Sequence, residues 1–279
     1  MPFPNQDLLI DVSTLSELLD DGNTDDVLIV AMCQATVYEH KHIPGSVLIE
    51  PAELVSGLKP AVGKLPDTER LSTLFSRIGL TADKKVIAYD DEGGGWAGRL
   101  IWTLDVLGHK NYAYLDGGLI AWLKSGLPIS NGIETNAPSN YQALVDSSQL
   151  RSKEYLLENL DAIQTNALQI WDARGVQEYR GEKVTAIRNG HIPGAKNLDW
   201  LELMDRDHEL RLLPAEIIRA KLANLGIDLD IPTITHCQTH HRSGLTYLVG
   251  KLLDMDIAAY DGSWSEWGND PDTPIDTAE

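Results

Sequence analysis

Short apolar runs alternate along the chain with stretches whose apolar positions recur at helical spacing, and that alternation predicts an α/β protein with parallel sheet flanked by helices. In the first half Val27-Leu28-Ile29-Val30 and Val86-Ile87-Ala88-Tyr89 are strand candidates, and in the second half Leu168-Gln169-Ile170-Trp171 and Pro232-Thr233-Ile234-Thr235-His236. The segment from Pro214 to Gly226 opens on a proline, carries apolar residues at 217, 218, 222 and 225, and stops at a glycine. It predicts a helix lying against the sheet. A second apolar helical run extends from Leu245 to Leu253. Gly126 to Gln149 is rich in Pro, Ser, Asn and Gly, has neither period for most of its length, and reads as a linker. The tail from Asn269 to Glu279, with two prolines and several acidic residues, is expected to be loosely held.

The same landmarks occur twice in the same order. His42-Ile43-Pro44-Gly45 recurs 149 residues later as His191-Ile192-Pro193-Gly194. Leu65-Pro66, opening an amphipathic stretch that closes at Gly79, recurs as Leu213-Pro214 closing at Gly226. Asp116-Gly117 followed by Trp122 recurs 145 residues later as Asp261-Gly262 followed by Trp267. Ordered landmarks with slowly drifting offsets mean duplication with small loop differences. The period is far too long for a solenoid unit, so each copy is expected to be a domain with its own core. A chain of 279 residues, against roughly 150 per domain, agrees. The expected division is residues 1–125, a linker over 126–149, and residues 150–279.

The formal charge of −19, from 42 acidic and 23 basic residues, opposes association with nucleic acid or an anionic membrane. A small anionic substrate would need strong local donors that override this distant field. Cys33 and Cys237 are the two cysteines, far apart in sequence, and give no disulfide framework. The start, Met1-Pro2-Phe3-Pro4-Asn5-Gln6-Asp7, does not read as a secretory leader. No run approaches the ~20 apolar residues of a membrane span. These features lead to an expected soluble, reducing, cytoplasmic setting.

The candidate chemistry sits in Ile234-Thr235-His236-Cys237-Gln238-Thr239-His240-His241-Arg242-Ser243-Gly244, between a strand candidate and a helical run. At the carboxyl end of a parallel strand, loop amides and the following helix N-terminus converge on a surface that favours anions. A thiolate there is stabilised, and Arg242 adds a fixed positive charge, so the Cys237 thiol is expected below the free value of ~8.5. Cys33 lacks such neighbours and reads as a buried small hydrophobe.

This segment resembles the active-site loop of the rhodanese family, in which a cysteine opens a six-residue loop before a helix. The duplicated His-Ile-Pro-Gly element and the late Asp-Gly followed by Trp are rhodanese hallmarks too, so the resemblance covers nearly the whole chain. It implies two tandem rhodanese-like domains, of which the C-terminal one is catalytic. Aligning strand ends places Asp90 where the second copy has Cys237; Asp90 cannot form a persulfide, and its acidic surroundings imply that the first domain is inactive. The implied activity is sulfur transfer from thiosulfate to a thiophile such as cyanide or a thiol, through a persulfide on Cys237, without metal or organic cofactor. Cys237 and Arg242 are then the catalytic residues. Gln238, Thr239, His240 and His241 are candidate substrate contacts, as is Arg188, because tandem rhodaneses place an arginine in that region. His240 and His241 either touch the donor and lend it partial positive charge, or stand in solvent. The partners expected are a small anionic sulfur donor and a thiophilic acceptor, with a sulfur-accepting protein as a further possibility.

Three rivals are open at this stage. His236, Cys237, His240 and His241 are metal-type ligands, but crowded on one tight loop they fit a tetrahedral zinc poorly. Cysteine-dependent phosphatases also combine a cysteine, an anion loop and a closing arginine, yet they place five residues between Cys and Arg where Cys237 and Arg242 enclose four. The loop resembles the sulfur-carrying form, in which the donor is thiosulfate or 3-mercaptopyruvate; Gln238-Thr239-His240-His241 matches the usual pattern of neither. The third rival is a non-catalytic binding module, which describes the first half better than the second.

Overall fold

The computed structural model describes residues 2–22 and 24–277; Met1, Asn23, Ala278 and Glu279 lie outside it. The strands are β1 (Leu9–Ile10), β2 (Val27–Met32), β3 (Val47–Ile49), β4 (Lys85–Asp90), β5 (Tyr112–Leu115), β6 (Gln169–Asp172), β7 (Lys196–Asn197), β8 (Met204–Asp205), β9 (Arg211–Leu212), β10 (Thr233–His236) and β11 (Ile257–Ala259). The α-helices are α1 (Val12–Asp20), α2 (Ala35–His40), α3 (Thr68–Arg77), α4 (Gly95–Val106), α5 (Gly118–Lys124), α6 (Lys153–Glu158), α7 (Leu160–Gln164), α8 (Val176–Tyr179), α9 (Ala215–Asn224), α10 (Arg242–Leu252) and α11 (Ser263–Trp267).

Two parallel sheets result, in the orders β1-β5-β4-β2-β3 and β11-β10-β6-β7. A parallel bridge from Leu150 to Ala259 stands where β1 pairs with β5 in the first copy, so the two halves repeat one topology. Parallel strands are covered on both faces, which is why β4 and β10 read as near-continuous apolar or β-branched runs. All four strand candidates are strands. The predicted helix is α9 with Pro214 as its N-cap, but its buried face is Ala215, Ile218 and Leu222, and Ile217 points outward.

The expectation of one separate core per copy is corrected. Each domain has an outer cluster, one built on Ile29, Ile87 and Trp122 and the other on Ile170, Ile234 and Trp264. The largest cluster is shared, running from Leu28, Val86 and Trp102 to Tyr247, Leu248 and Ile257. Its seam is the crossing of α4 and α10, both buried almost all round. The backbones touch there because Gly98 and Gly244 carry no side chain. A Cβ on Gly98 would stand 2.3 Å from the Gly244 carbonyl oxygen, and one on Gly244 2.3 Å from that of Gly95.

The segment over 126–149 is docked along the first domain. Ser130 pairs with His42, Glu134 accepts from the Gly45 amide, and Ser139 donates to the Leu80 carbonyl. The tail is docked as well, contrary to expectation: Thr273 is buried, Asp276 bridges to His191, and Arg188 donates to carbonyls of Asp270 and Thr273. Its last two residues, Ala278 and Glu279, are outside the described range. Among the described residues no helix is long and apolar enough to cross a membrane.

Candidate active site

Strand β10 ends at His236, and after five intervening residues the chain enters α10 at Arg242. The start of α11 pins the intervening loop. The Cys237 carbonyl accepts from the Trp264 amide at 3.0 Å, the Gln238 carbonyl accepts from the Ser265 amide at 2.9 Å, and the Cys237 amide donates to Ser263 Oγ at 3.4 Å. His240 completes the bend with φ of 54°, a left-handed conformation uncommon for a side chain of its size.

Cys237 is completely buried, but its surroundings are polar. Burial alone would raise its thiol. The Arg242 guanidinium, the Ser243 hydroxyl and amide as donors, and the nearby His241 reverse that and hold the thiol below its ordinary value. Arg242 is itself gripped by Glu178, which accepts from its two terminal nitrogens at 2.6 and 3.0 Å. The Arg242 guanidinium outweighs burial and holds the Glu178 carboxyl below the usual range, so both charges persist.

Behind the loop lies a second charged layer. Asp172 and Arg174, both fully buried, pair at 2.6 Å, and Arg174 also donates to the Gly190 carbonyl and lies 4.3 Å from the Trp264 ring centroid. His236 Nε2 is 3.6 Å from Asp172. Burial nonetheless keeps this imidazole below its ordinary value, so it adds no charge at neutral pH.

The remaining candidates fall in different places. Gln238 donates through Nε2 to the Thr185 carbonyl at 3.0 Å and leaves Oε1 buried without a partner among the described residues. Thr239 is half-buried against the first domain, where a Cβ on Gly63 would come within 2.1 Å of the Thr239 carbonyl. His241 stacks on Trp96 at 4.4 Å, lies 5.6 Å from Trp200, and its Nε2 meets Glu92.

Two expectations are corrected. His240 neither contacts solvent nor lends positive charge. It is fully buried, edge-on to Trp102 at 4.3 Å, with Nδ1 2.7 Å from Ser243 Oγ. Burial first, then the positive charge of Arg99, presses its imidazole well below its ordinary value. Arg188 is committed elsewhere: its terminal nitrogens satisfy the tail carbonyls, and an arginine spent on that anchor is not presented to the loop.

Several residues at the site escape a reading of the sequence. Glu178, Glu92, Trp96 and Arg99 come from distant segments, and only packing brings them here. The buried Arg99 of α4 crosses the domain seam to donate to the His240 carbonyl at 3.4 Å and to the Leu54 carbonyl at 2.7 Å. Ser243 did have a signal, since a hydroxyl directly after the loop arginine sits in the first turn of the helix facing the cysteine.

In the first copy the equivalent bend is filled by its own side chain. The buried Asp90 carboxylate accepts from the amides of Glu92, Gly93, Gly94 and Ala97 at 3.2, 3.1, 2.8 and 3.0 Å. Gly93 and Gly94, at φ of 98° and 97°, supply the left-handed turns that aim those amides inward. Four donors converging on one carboxylate make this an anion cradle that is already full.

Among the described residues no group of three or more His, Cys, Asp or Glu side chains is arranged to hold a metal ion. A profile of the rhodanese-like domain matches the chain twice, over residues 11–125 and 152–270. The chain is 43% identical to a thiosulfate sulfurtransferase of Azotobacter vinelandii, over 98% of each. It is 32% identical to human 3-mercaptopyruvate sulfurtransferase, over 82% of this chain and 78% of that one. Among solved structures it superposes on the 3-mercaptopyruvate sulfotransferase SseA of Escherichia coli with a TM-score of 0.80 and 27% identity, over 92% of this chain and 98% of that one.

Proposed function

From the premise that this chain belongs to the rhodanese family and is a sulfurtransferase, we propose that Cys237 carries the sulfur, that thiosulfate is the donor, and that Arg242 is the charge that draws the donor in. One observation carries the reading. A buried thiol lies at the end of a parallel strand with a guanidinium, an amide and a hydroxyl turned toward it, and these outweigh the burial that would keep it protonated.

The chemistry follows from those groups. The Cys237 thiolate attacks the outer sulfur of thiosulfate; a new sulfur–sulfur bond forms, the old one breaks, and sulfite leaves with the bonding pair. Arg242, already tied to Glu178 at one edge, keeps further N–H donors for the departing anion. A thiophile then takes the outer sulfur of the persulfide and returns the electron pair to Cys237. Cyanide would leave as thiocyanate, and a thiol would leave as a persulfide. These contacts act at bonding distance, whereas the overall charge of −19 is screened beyond a Debye length of about 8 Å.

Gln238, Thr239 and His241 border this loop and shape its mouth, with Trp96 and Trp200 around His241. The first domain, with Asp90 in place of a thiol, contributes walls and no sulfur chemistry. We place the protein in a reducing, cytoplasmic setting, a reading supported by two cysteines that are both free. A thiol-bearing protein is included among the possible acceptors.

The test is one preparation incubated in parallel with thiosulfate and with 3-mercaptopyruvate, followed by intact mass measurement. Thiosulfate should add a single sulfur to the wild type and none to Cys237→Ala. A sulfur gained only from 3-mercaptopyruvate would transfer the assignment to that donor. Release of phosphate from a generic ester, lost in Cys237→Ala, would replace it altogether.

A further inference from the structure

We propose that Ser243 and His240 form a positioning pair for the Cys237 sulfur, in which the Ser243 hydroxyl donates to the thiolate and His240 Nδ1–H holds the hydroxyl in that direction. The inference rests on Cys237 being the sulfur-accepting residue, and it reassigns His240 from the donor site to the support beneath it.

Ser243 is the second residue of α10 and is fully buried. Its hydroxyl and its amide are the two donors that, with the Arg242 charge, lower the Cys237 thiol. Its Oγ also lies 2.7 Å from His240 Nδ1. A hydroxyl has one proton to give. If that proton went to Nδ1, the oxygen would face the thiolate with lone pairs only and would repel it. If Nδ1 carries the proton, the hydroxyl accepts from histidine and its own proton is free for sulfur.

The surroundings select the second arrangement. His240 is fully buried and its ring stays neutral, so it holds one proton on one of two nitrogens. Nε2 is buried with no hydrogen-bond partner among the described residues. A proton placed there would be an orphaned buried donor, with Nδ1 left to accept from the hydroxyl, whereas a proton on Nδ1 is donated to Ser243 Oγ and leaves no buried donor unused. The ring is held in place by the edge contact with Trp102, and the His240 carbonyl by Arg99, both from the first domain. The silent domain therefore reaches the sulfur through His240 and Ser243.

The pair bears on both halves of the reaction. Before transfer it stabilises the attacking thiolate. When a thiophile removes the outer sulfur, the electron pair returns to Cys237, and the same hydroxyl meets the charge as it reappears. The other charged or titratable groups around the sulfur are Arg242 and His241 on its own loop and Arg99 on α4, with His236 and the Asp172–Arg174 pair on the strand side. Each remains in place in the variants below.

The experiment titrates the thiolate of the full-length protein by its ultraviolet absorbance, against Cys237→Ser as the blank. Cys33, pushed up to about 12 by burial and by Asp91 and Asp90, is silent in the working range. Ser243→Ala should move the midpoint up by about one unit, a tenfold loss of thiolate at a given pH below it, and Ser243→Thr should restore it. His240→Ala should raise the midpoint in the wild type and have little further effect in Ser243→Ala, since the two residues act through one bond. His240→Asn, which keeps a donor near Nδ1 and tolerates the left-handed backbone, should recover most of the loss. An unmoved midpoint in Ser243→Ala, or an undiminished His240→Ala effect in that background, overturns the pair. If the alanine variants do not fold, imidazole nitrogen NMR of the wild type decides, because a proton found on Nε2 refutes the proposal and one on Nδ1 supports it. Failure of the sulfur-donor assignment is separable. It would show as no mass gain from thiosulfate, while the shift between wild type and Ser243→Ala would persist.

Discussion

Replacing Gly98 with alanine tests whether the two halves are one mechanical unit. The new Cβ would lie 2.3 Å from the Gly244 carbonyl oxygen, 2.4 Å from its carbon and 2.8 Å from the Leu245 amide nitrogen. All three are backbone atoms of a helix buried on nearly every side, so no side chain can swing away. Ordinary contact requires α4 and α10 to separate by about 1 Å, and a gap of that size forfeits a quarter to a half of the dispersion energy of each contact along the seam. Overpacking of this kind typically costs about 1–3 kcal/mol, and rigid neighbours place this case at the upper end. Alanine recovers roughly 1 kcal/mol through helix propensity, which leaves a net loss of about 2 kcal/mol. Urea unfolding of the full chain should show the midpoint falling with its slope retained. Thiolate titration should show the Cys237 midpoint moving as well, because α10 carries Arg242 and Ser243. A Gly98→Ala protein as stable as the wild type would refute the account of the seam.

Three further outcomes are expected. Glu178→Gln should cost about 1–3 kcal/mol at neutral pH, a buried-pair value reduced because Arg242 is 19% exposed and Glu178 7%. The folded-state pKa of Glu178 is depressed, so its contribution is present above the unfolded carboxyl value of about 4.3 and fades as pH falls through the folded one. Urea curves of wild type and variant that stay equally far apart in acid would contradict this. In the native protein a small alkylating reagent at neutral pH should label Cys237, whose thiol is lowered, and leave Cys33 untouched, since its thiol is pushed up to about 12; peptide mapping that finds native Cys33 labelled in preference to Cys237 would count against that ordering of the two thiols. Asp90→Ala leaves the amides of Glu92, Gly93, Gly94 and Ala97 without their acceptor and should lower stability by about 2 kcal/mol. Sulfate should restore part of the loss by entering the vacated cradle, and a melting temperature insensitive to sulfate would rule the cradle out.

Much of the fold was legible because the duplication is written in short local signals. The His-Ile-Pro-Gly turns, the strand candidates and the Pro214 helix start depend on neighbours a few residues apart, which periodicity and turn chemistry capture. The cysteine loop was legible for the same reason. What escaped depends on contacts between segments more than a hundred residues apart, such as Arg99 with the His240 carbonyl or Glu92 with His241. His240 illustrates the limit. Its residue type suggested a titrating substrate contact, but a backbone φ of 54° turns the side chain under the loop against Trp102, and no local pattern announces that rotation. The polar composition of the segment over 126–149 reads as a linker and does not reveal how the segment is held. It is held by hydrogen bonds, as at Ser139 and Glu134, and by isolated apolar contacts such as Tyr141 and Ala143, which leave no hydrophobic period to detect.

The common interior bounded by α4 and α10 restricts how this protein can change over evolutionary time. A half with Asp90 where its counterpart has a thiol could be expected to drift or be deleted. Here its removal would strip Trp102, Arg99 and the Gly98 contact from the back of the working helix and expose an apolar wall to water. The half with Asp90 supports from behind the helix that carries Arg242 and Ser243, so the two halves are expected to be inherited together, with shape conserved in both.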